Sequence, residues 1–271
     1  MHHVILVYVL GDVHADFGRL NAFISKRIRS NRAIRELAAD CESKNHDFQI
    51  LILQCGDFAY FWTGVDFSGA IRNQVDFLPG GRLPVYWCAG NHEDWDKLDS
   101  FVNPRNPCAK IVEVDAGLYY CPFASTLTLA PGLTVLFAGG AESGDKDYRL
   151  AKMREKGCLK IWWEQEGISE SDMARLNCVQ QTQWVVSHTA PAAFNLAQSL
   201  TGSYKSNAKR DIPPSRKFLD TVLRRFRPRR WFFGHFHHGM ASETDGCKWL
   251  CLDQLGGAGS FWFSEIVEYD D

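Results

Sequence analysis

The sequence predicts an α/β fold with a parallel sheet in the first part of the chain and a second sheet in its middle. The apolar, β-branched run at 4–10 is typical of a strand covered on both faces. Similar runs at 48–53 and 84–88 follow, with helical patterns between them, and this order implies parallel strands joined by right-handed crossovers. Shorter strands separated by glycine and proline turns then indicate antiparallel additions and a second sheet; they lie at 111–114, 118–120, 125–129 and 133–138.

The first part of the chain also contains signals for helices. Asp16 is expected to cap a helix whose apolar residues fall at helical spacing, namely Phe17, Leu20, Phe23, Ile24 and Ile28. We expect a second helix near 68–77, which the Pro79-Gly80-Gly81 break would end, and a short third helix near 95–101.

The second part of the chain alternates helices and strands again. Helices are predicted at 145–155, at 169–178 with Ser169 and Asp172 as a capping box, and at 215–226. Strands are predicted at 183–186 and 229–233, and two further strands at 249–252 and 260–267 are expected to finish the second sheet. The polar segment 201–215 is predicted to be a mobile loop. Because no linker or repeat separates these elements, we expect a single domain over residues 1–271.

Composition and charge exclude several functional classes. The chain has 271 residues, of which 45% are hydrophobic, and its formal charge of −2 gives no general attraction to nucleic acids or acidic membranes. No apolar run approaches the roughly 18 residues of a membrane span, and residues 1–10 do not have the pattern of a signal peptide. The nine cysteines form no C-x-x-C pair, so we interpret them as reduced thiols of a cytoplasmic protein.

Residues of the metal-ligand type follow five of the predicted strands. Because ligands bind beyond the carboxyl ends of strands in open α/β sheets, these turns are expected to converge. Their oxygen and nitrogen donors, without sulfur, suit manganese, iron or zinc better than a structural zinc site. His235 and His237 are two residues apart, so in extended chain both would face the same side. The complete set is Asp12 and His14, Asp57, Asn91 with His92, His188, and His235 with His237.

These strand ends contain five short motifs in a characteristic order: GDVH at 11–14, GD at 56–57, GNHE at 90–93, SH at 187–188 and GHFH at 234–237. Together they resemble the calcineurin-like metallophosphoesterase family. The segments 139–146 and 162–169 resemble bacterial and phage members whose substrates are mostly unassigned. The resemblance implies a four-layer α/β/β/α sandwich, in which helices flank two mixed β-sheets.

The resemblance also implies roles for the residues of the five motifs. One metal ion would be held by Asp12, His14, Asp57 and His237, and the other by Asp57, Asn91, His188 and His235. Manganese is favoured for both ions, with iron, zinc or nickel as alternatives. A hydroxide that bridges the ions would attack the phosphorus of a monoester or diester, and His92 would be the acid near the leaving group. Asp57 and Asn91 would belong to the catalytic residues together with His92. The expected substrate is a phosphorylated small molecule or nucleotide.

Three other functional classes are alternatives to a phosphoesterase that acts on a small molecule. A nuclease or polynucleotide phosphatase would use the arginine-rich stretch 224–230 to hold single-stranded nucleic acid. A solvated helix end, where cations suit the helix dipole, is the favoured explanation of that stretch. A binding module that kept the fold but lost catalytic activity should lack some of the metal ligands. No ligand of the motifs is missing, so this class is the least favoured. A protein phosphatase role is weakened because Tyr60 stands where that branch of the family carries an aspartate. The sequence leaves the oligomeric state open.

Overall fold

The computed structural model describes residues 1–103, 106–155, 157–196 and 212–271. It contains two mixed sheets of six strands each with helices beside them, which confirms the predicted α/β sandwich. The strands are β1 (His2–Leu10), β2 (Asp47–Gln54), β3 (Val85–Trp87), β4 (Val112–Asp115), β5 (Leu118–Tyr120), β6 (Thr126–Ala130), β7 (Leu133–Ala138), β8 (Trp184–Ser187), β9 (Arg230–Phe233), β10 (Met240–Thr244), β11 (Cys247–Cys251) and β12 (Trp262–Asp270).

The first sheet has the strand order β12-β1-β2-β3-β5-β4. Its centre is parallel, because β1 pairs with β2, β2 with β3, and β3 with β5 in the same direction. Both outer strands, β12 and β4, are antiparallel to their neighbours. The second sheet has the order β10-β11-β9-β8-β7-β6, again with a parallel centre, from β11 to β7, and antiparallel strands at both edges.

The helices connect the strands and cover the outer faces of the sheets. They are α1 (Phe17–Phe23), α2 (Arg32–Ser43), α3 (Trp95–Asp99), α4 (Lys146–Met153), α5 (Glu170–Arg175) and α6 (Pro214–Phe226). The caps at Asp16 and Ser169 form as predicted: Asp16 accepts from the Arg19 amide, and Ser169 with Asp172 makes a capping box. Helix α1 continues directly into a π-helical turn at Ile24–Arg29, which keeps the predicted apolar face buried.

Strand β1 shows why the core has three layers of apolar side chains. Alternate residues point to opposite faces of a sheet. Val7 and Val9 lie between the two sheets with residues such as Phe137 and Phe232, whereas Leu6 and Tyr8 pack under the helices of the first sheet. The continuous apolar run therefore reflects burial on both faces, as predicted.

Two sequence predictions about secondary structure were wrong. Residues 68–77 form turns because their polar groups bond to neighbouring segments: the Arg72 amide donates to Asn21, and the Asn73 side chain donates to the Leu83 and Ala116 carbonyls. The strand predicted at 260–267 does form, but it joins the first sheet beside β1. The alternation of a strand shows which face is buried, but it does not identify the sheet that the strand joins.

The cysteine interpretation also needs correction. Cys108 and Cys178 form a disulfide, although 70 residues separate them in sequence, and the other seven cysteines are free. The spacing of the cysteines contained no signal for this pair. Disulfides are rare in cytoplasmic proteins, so this pair weakens the inference from free thiols to the cytoplasm. The cytoplasmic location stays a prediction.

Most of the predicted mobile loop, at 201–211, lies outside the described residues. Within the described ranges, no helix has both the length and the apolar character needed to cross a membrane.

Candidate metal centre

The candidate site lies where the carboxyl ends of five strands from both sheets meet. The turns after β1, β2 and β3 belong to the first sheet, and those after β8 and β9 belong to the second. The structure brings all seven predicted metal ligands together in these turns. They form two clusters that share Asp57.

The first cluster consists of Asp12, His14, Asp57 and His237. Each residue contributes one ligand atom, and these atoms all lie within 4.8 Å of one another. His237 Nε2 is 3.0 Å from Asp12 Oδ2 and 2.9 Å from His14 Nε2. Asp12 and Asp57 are buried, whereas both histidines keep part of their surface exposed. Two imidazole nitrogens directed at buried carboxylates are a donor set that fits a divalent cation.

The second cluster surrounds His188, which is completely buried. Its Nδ1 lies 2.9 Å from the Cys55 carbonyl oxygen, which can only accept, so this nitrogen carries the proton. In a neutral ring, the lone pair of Nε2 then faces Asn91 Oδ1 at 3.0 Å and Asp57 Oδ1 at 3.3 Å. His235 Nδ1 lies 3.1 Å from the same nitrogen. Acceptor atoms that converge in this way repel one another unless a proton or a metal cation lies between them.

The charge of Asp57 connects the two clusters. Its Oδ1 faces His188, while its Oδ2 lies 3.8 Å from His14 Nδ1. Burial alone would raise the pKa of Asp57, but the positive charge of His188, followed by that of His92 and His14, holds this pKa well below its usual range. The carboxyl group is therefore ionised, with one oxygen directed at each cluster.

The same negative field acts on His188. Burial lowers the pKa of this histidine, but Asp57 and Asp12 outweigh burial and raise the pKa to about 9. The pKa of the neighbouring His235 lies well below its usual value, because burial and the charge of His188 both disfavour its protonation. The field that retains a proton at His188 would also retain a metal cation, which would displace that proton on binding.

The backbone at the site is strained in the way that functional turns often are. His14, Asp57, His235 and His237 all have positive φ angles, between 46° and 67°. The expectation that His235 and His237 lie in extended chain and face the same side is therefore wrong, and their side chains join different clusters. Gly234 also allows close approach, because a β-carbon there would overlap Asp12 Oδ1.

His92 lies beside both clusters without belonging to either. Its Nε2 is 3.9 Å from Asp57 Oδ2, and its ring stacks on Trp62 with the centroids 5.8 Å apart. Arg149 places Nη2 2.7 Å from His92 Nε2 and 3.3 Å from His92 Nδ1. Guanidinium groups only donate, so a ring nitrogen of His92, with Nε2 at the shorter distance, presents a lone pair to Arg149. Burial lowers the pKa of His92; Asp57 opposes this shift and Arg149 adds to it.

Sequence reasoning missed three buried residues at the site, Ser143, Arg149 and Glu166. Ser143 and Glu166 lie in the segments 139–146 and 162–169, which were singled out for their resemblance to bacterial and phage proteins, and Arg149 lies between those segments. The sequence contained no other indication that these side chains are buried, because a charged residue in a predicted helix is ordinarily solvated.

Two acidic residues that follow His92, Glu93 and Asp94, hold backbone groups close to the site. Glu93 is completely buried and accepts from the amides of Phe58 and Ala59, so it holds the turn that carries Asp57. Burial raises its pKa to about 8, and the charge of Asp57 adds to this shift. Asp94 caps α3 by accepting from the Lys97 amide.

The arginine-rich stretch 224–230 is not part of the site. It ends α6 and enters β9 at its amino end, whereas the site lies at the carboxyl end of that strand. Four residues of extended chain span roughly 13 Å. Arg230 is also paired, with its Nη2 2.8 Å from Glu265 Oε2.

One protein family and several solved structures are similar to this chain. No curated protein matches the chain. Among solved structures, the protein TT1561 of Thermus thermophilus shares 13% identity, with 92% of this chain and 89% of that chain covered and a TM-score of 0.46. The phosphopantetheinyl hydrolase of Mycobacterium tuberculosis shares 14% identity, with 96% and 95% covered and a TM-score of 0.41. A model of the family described as calcineurin-like phosphoesterase matches residues 5–239, which include both clusters. The chain therefore belongs to the calcineurin-like phosphoesterase family.

Proposed function

We propose that the protein is a hydrolase of phosphate esters that uses two divalent metal ions. Asp12, His14, Asp57 and His237 would hold one ion, and Asp57, Asn91, His188 and His235 the other. Manganese is the favoured metal, with iron, zinc or nickel as alternatives. When bound, such a pair of ions supplies positive charge for the phosphoryl oxygens and makes a coordinated water more acidic.

The observation that carries this proposal is the position of Asp57 between two clusters of nitrogen and oxygen donors. An ionised carboxylate with one oxygen toward each cluster is suited to bridge two cations. A structural role alone would not require three imidazoles of the clusters, those of His14, His188 and His237, to face two buried carboxylates. Buried charged and polar groups are normally paired with hydrogen-bond donors, whereas here several acceptor atoms face one another.

The other side chains of the site would bind and orient the phosphate ester. His92 lies next to the clusters, and one of its ring nitrogens retains an N–H while the other accepts from Arg149. This N–H could donate to the leaving-group oxygen or to a phosphoryl oxygen. Trp62 stacks on His92 and forms one wall beside it, which suits a small phosphorylated molecule or a nucleotide.

The proposal is tested by metal analysis and turnover on the same preparations. The purified chain would be stripped of metal, reloaded with Mn²⁺, Fe²⁺, Zn²⁺ or Ni²⁺, and assayed with aryl and nucleotide monoesters and diesters. We expect two ions per chain and hydrolysis that requires them. His237→Ala and His238→Ala form a matched pair, because His238 is exposed and lies outside both clusters. Only His237→Ala should lose an ion and activity; equal behaviour of the two variants, or no hydrolysis with any metal, would contradict the proposal.

A further inference from the structure

A closed ring of three buried hydrogen bonds and one ion pair includes Asn91. Its side-chain Nδ2 lies 3.3 Å from Ser143 Oγ, and Ser143 in turn donates a hydrogen bond to Glu166 Oε2. Arg149 Nη1 lies 3.5 Å from Glu166 Oε1 and donates to the backbone carbonyl of Asn91 at 3.0 Å. All four residues are at least 92% buried. The network therefore holds Asn91 by its side chain and by its backbone.

The chemistry of these groups fixes the direction of each hydrogen bond. Arg149 only donates, and an ionised Glu166 only accepts. The single hydroxyl proton of Ser143 is therefore directed to Glu166, so Ser143 Oγ can serve Asn91 only as an acceptor. The group that Asn91 directs at Ser143 must then be its NH₂, which leaves Oδ1 to face His188 Nε2.

The opposite orientation of the amide would be unfavourable for a metal site. If Asn91 were turned by 180°, its oxygen and the carboxylate of Glu166 would compete for one hydroxyl proton. The NH₂ group would then face the His188 cluster, and an NH₂ group has no lone pair to offer a cation. The orientation of the Asn91 amide thus depends on residues that are not themselves members of either cluster.

We propose that Ser143, Glu166 and Arg149 are positioning residues that present the amide oxygen of Asn91 to the His188 cluster. This inference rests on the proposed function, because it concerns an oxygen that would bind one of the two ions. A consequence is that the metal affinity of the His188 cluster depends on the segment that contains α4 and the turns on either side of this helix. Residues of this kind, which orient a ligand, typically change metal affinity about 10–100-fold when they are replaced.

Ser143→Ala is the sharpest test, because it removes the hydroxyl without adding volume. Ser125→Ala is the matched control: Ser125 is also buried, and its hydroxyl donates to the Pro122 carbonyl at 2.7 Å. Both variants lose a buried hydroxyl, but only Ser143 takes part in the ring. Ser143→Thr keeps the hydroxyl and serves as the conservative variant.

The measurements are titration calorimetry of the metal-free proteins with Mn²⁺ and thermal melting of the same samples. A pH of 8 keeps Glu166 ionised, because burial raises the pKa of this residue to about 7 despite the opposing effects of Ser143 and Arg149. We expect Ser143→Ala to lower the affinity for one of the two Mn²⁺ ions about 10–100-fold. Ser125→Ala and Ser143→Thr should bind both ions as the wild type does.

Each other outcome overturns a defined statement. Unchanged binding in Ser143→Ala would overturn the positioning role and leave the proposed function intact. An equal loss in Ser125→Ala would assign the effect to general destabilisation, and an equal loss in Ser143→Thr would assign it to side-chain shape; either would overturn the inference. A wild-type protein that binds no divalent cation would overturn the proposed function together with this inference.

Discussion

Asp57 is the residue on which the two clusters depend most. Replacement by asparagine keeps the shape of the side chain but removes the charge that faces both clusters. We expect Asp57→Asn to lower turnover by about 10³-fold or more, the scale of losing a preorganised electrostatic group. Its metal content should fall below that of Asp12→Asn, the matched change at an unshared carboxylate. An Asp57→Asn protein that retains two ions and wild-type turnover would show that Asp57 is not a bridge.

His92 offers a separate test of chemistry, because it touches the site without belonging to a cluster. Burial and Arg149 keep its pKa low in the free protein, but the negative charge of a bound phosphate ester would raise it. We expect His92→Ala to keep both ions, whereas His188→Ala loses one. Turnover of alkyl or nucleoside esters should fall by about 10²–10⁴-fold.

The leaving group distinguishes the two roles open to His92. The leaving group of a nitrophenyl ester is nitrophenolate, a stable anion that needs little proton donation. Hydrolysis of these esters should therefore fall much less in His92→Ala. An equal loss on nitrophenyl and alkyl esters would mean that His92 stabilises charge on the phosphoryl oxygens. Loss of a metal ion from the variant would show that His92 supports a ligand.

The strand ends are the elements that form the centre, and their glycines permit the close approach of neighbouring turns. A methyl group at Gly234 would overlap Asp12 Oδ1, which accepts from the His235 amide at 3.0 Å. We expect Gly234→Ala to displace Asp12 and to weaken metal binding by at least about 10-fold, the effect of disturbing the support of a ligand. Gly18→Ala, at an exposed position of α1 with ordinary contact distances, is the control and should bind metal normally. Wild-type affinity in Gly234→Ala would show that the turn can rearrange freely.

The same elements show what the sequence could predict. The strand ends were predictable because a local pattern, an apolar run followed by glycine and a ligand-type residue, describes each of them. Helix α2 was missed, although Asn31 caps it by accepting from the Ala33 amide. The segment 68–77 was wrongly predicted to be a helix. Its bonds to Asn21 and Leu83 hold it in turns, and the local sequence pattern does not show them. Arg149 and Glu166 could not be recognised for the same reason, since their partners lie far away in sequence.

The whole molecule is expected to keep its fold without metal. Apolar side chains fill the space between the sheets and under both helical layers, so the core does not depend on the ions. Treatment with a chelator should therefore abolish hydrolysis but leave the circular dichroism spectrum nearly unchanged. Restored activity after addition of Mn²⁺ would exclude irreversible damage. Wholesale loss of secondary structure on chelation would contradict this expectation.

The pairing of β12 with β1 has a practical consequence for handling the protein. All nine residues of β1 are in register with β12, yet β12 lies beyond residue 239, where the family match ends. An expression clone that stops at that boundary would expose one full edge of β1, and β9 would lose its partner β11. Exposed apolar edges recruit other chains. We expect the 1–239 fragment to form aggregates in size-exclusion chromatography, where residues 1–271 elute as a defined species; a well-behaved fragment with the wild-type melting temperature would show that β12 is dispensable.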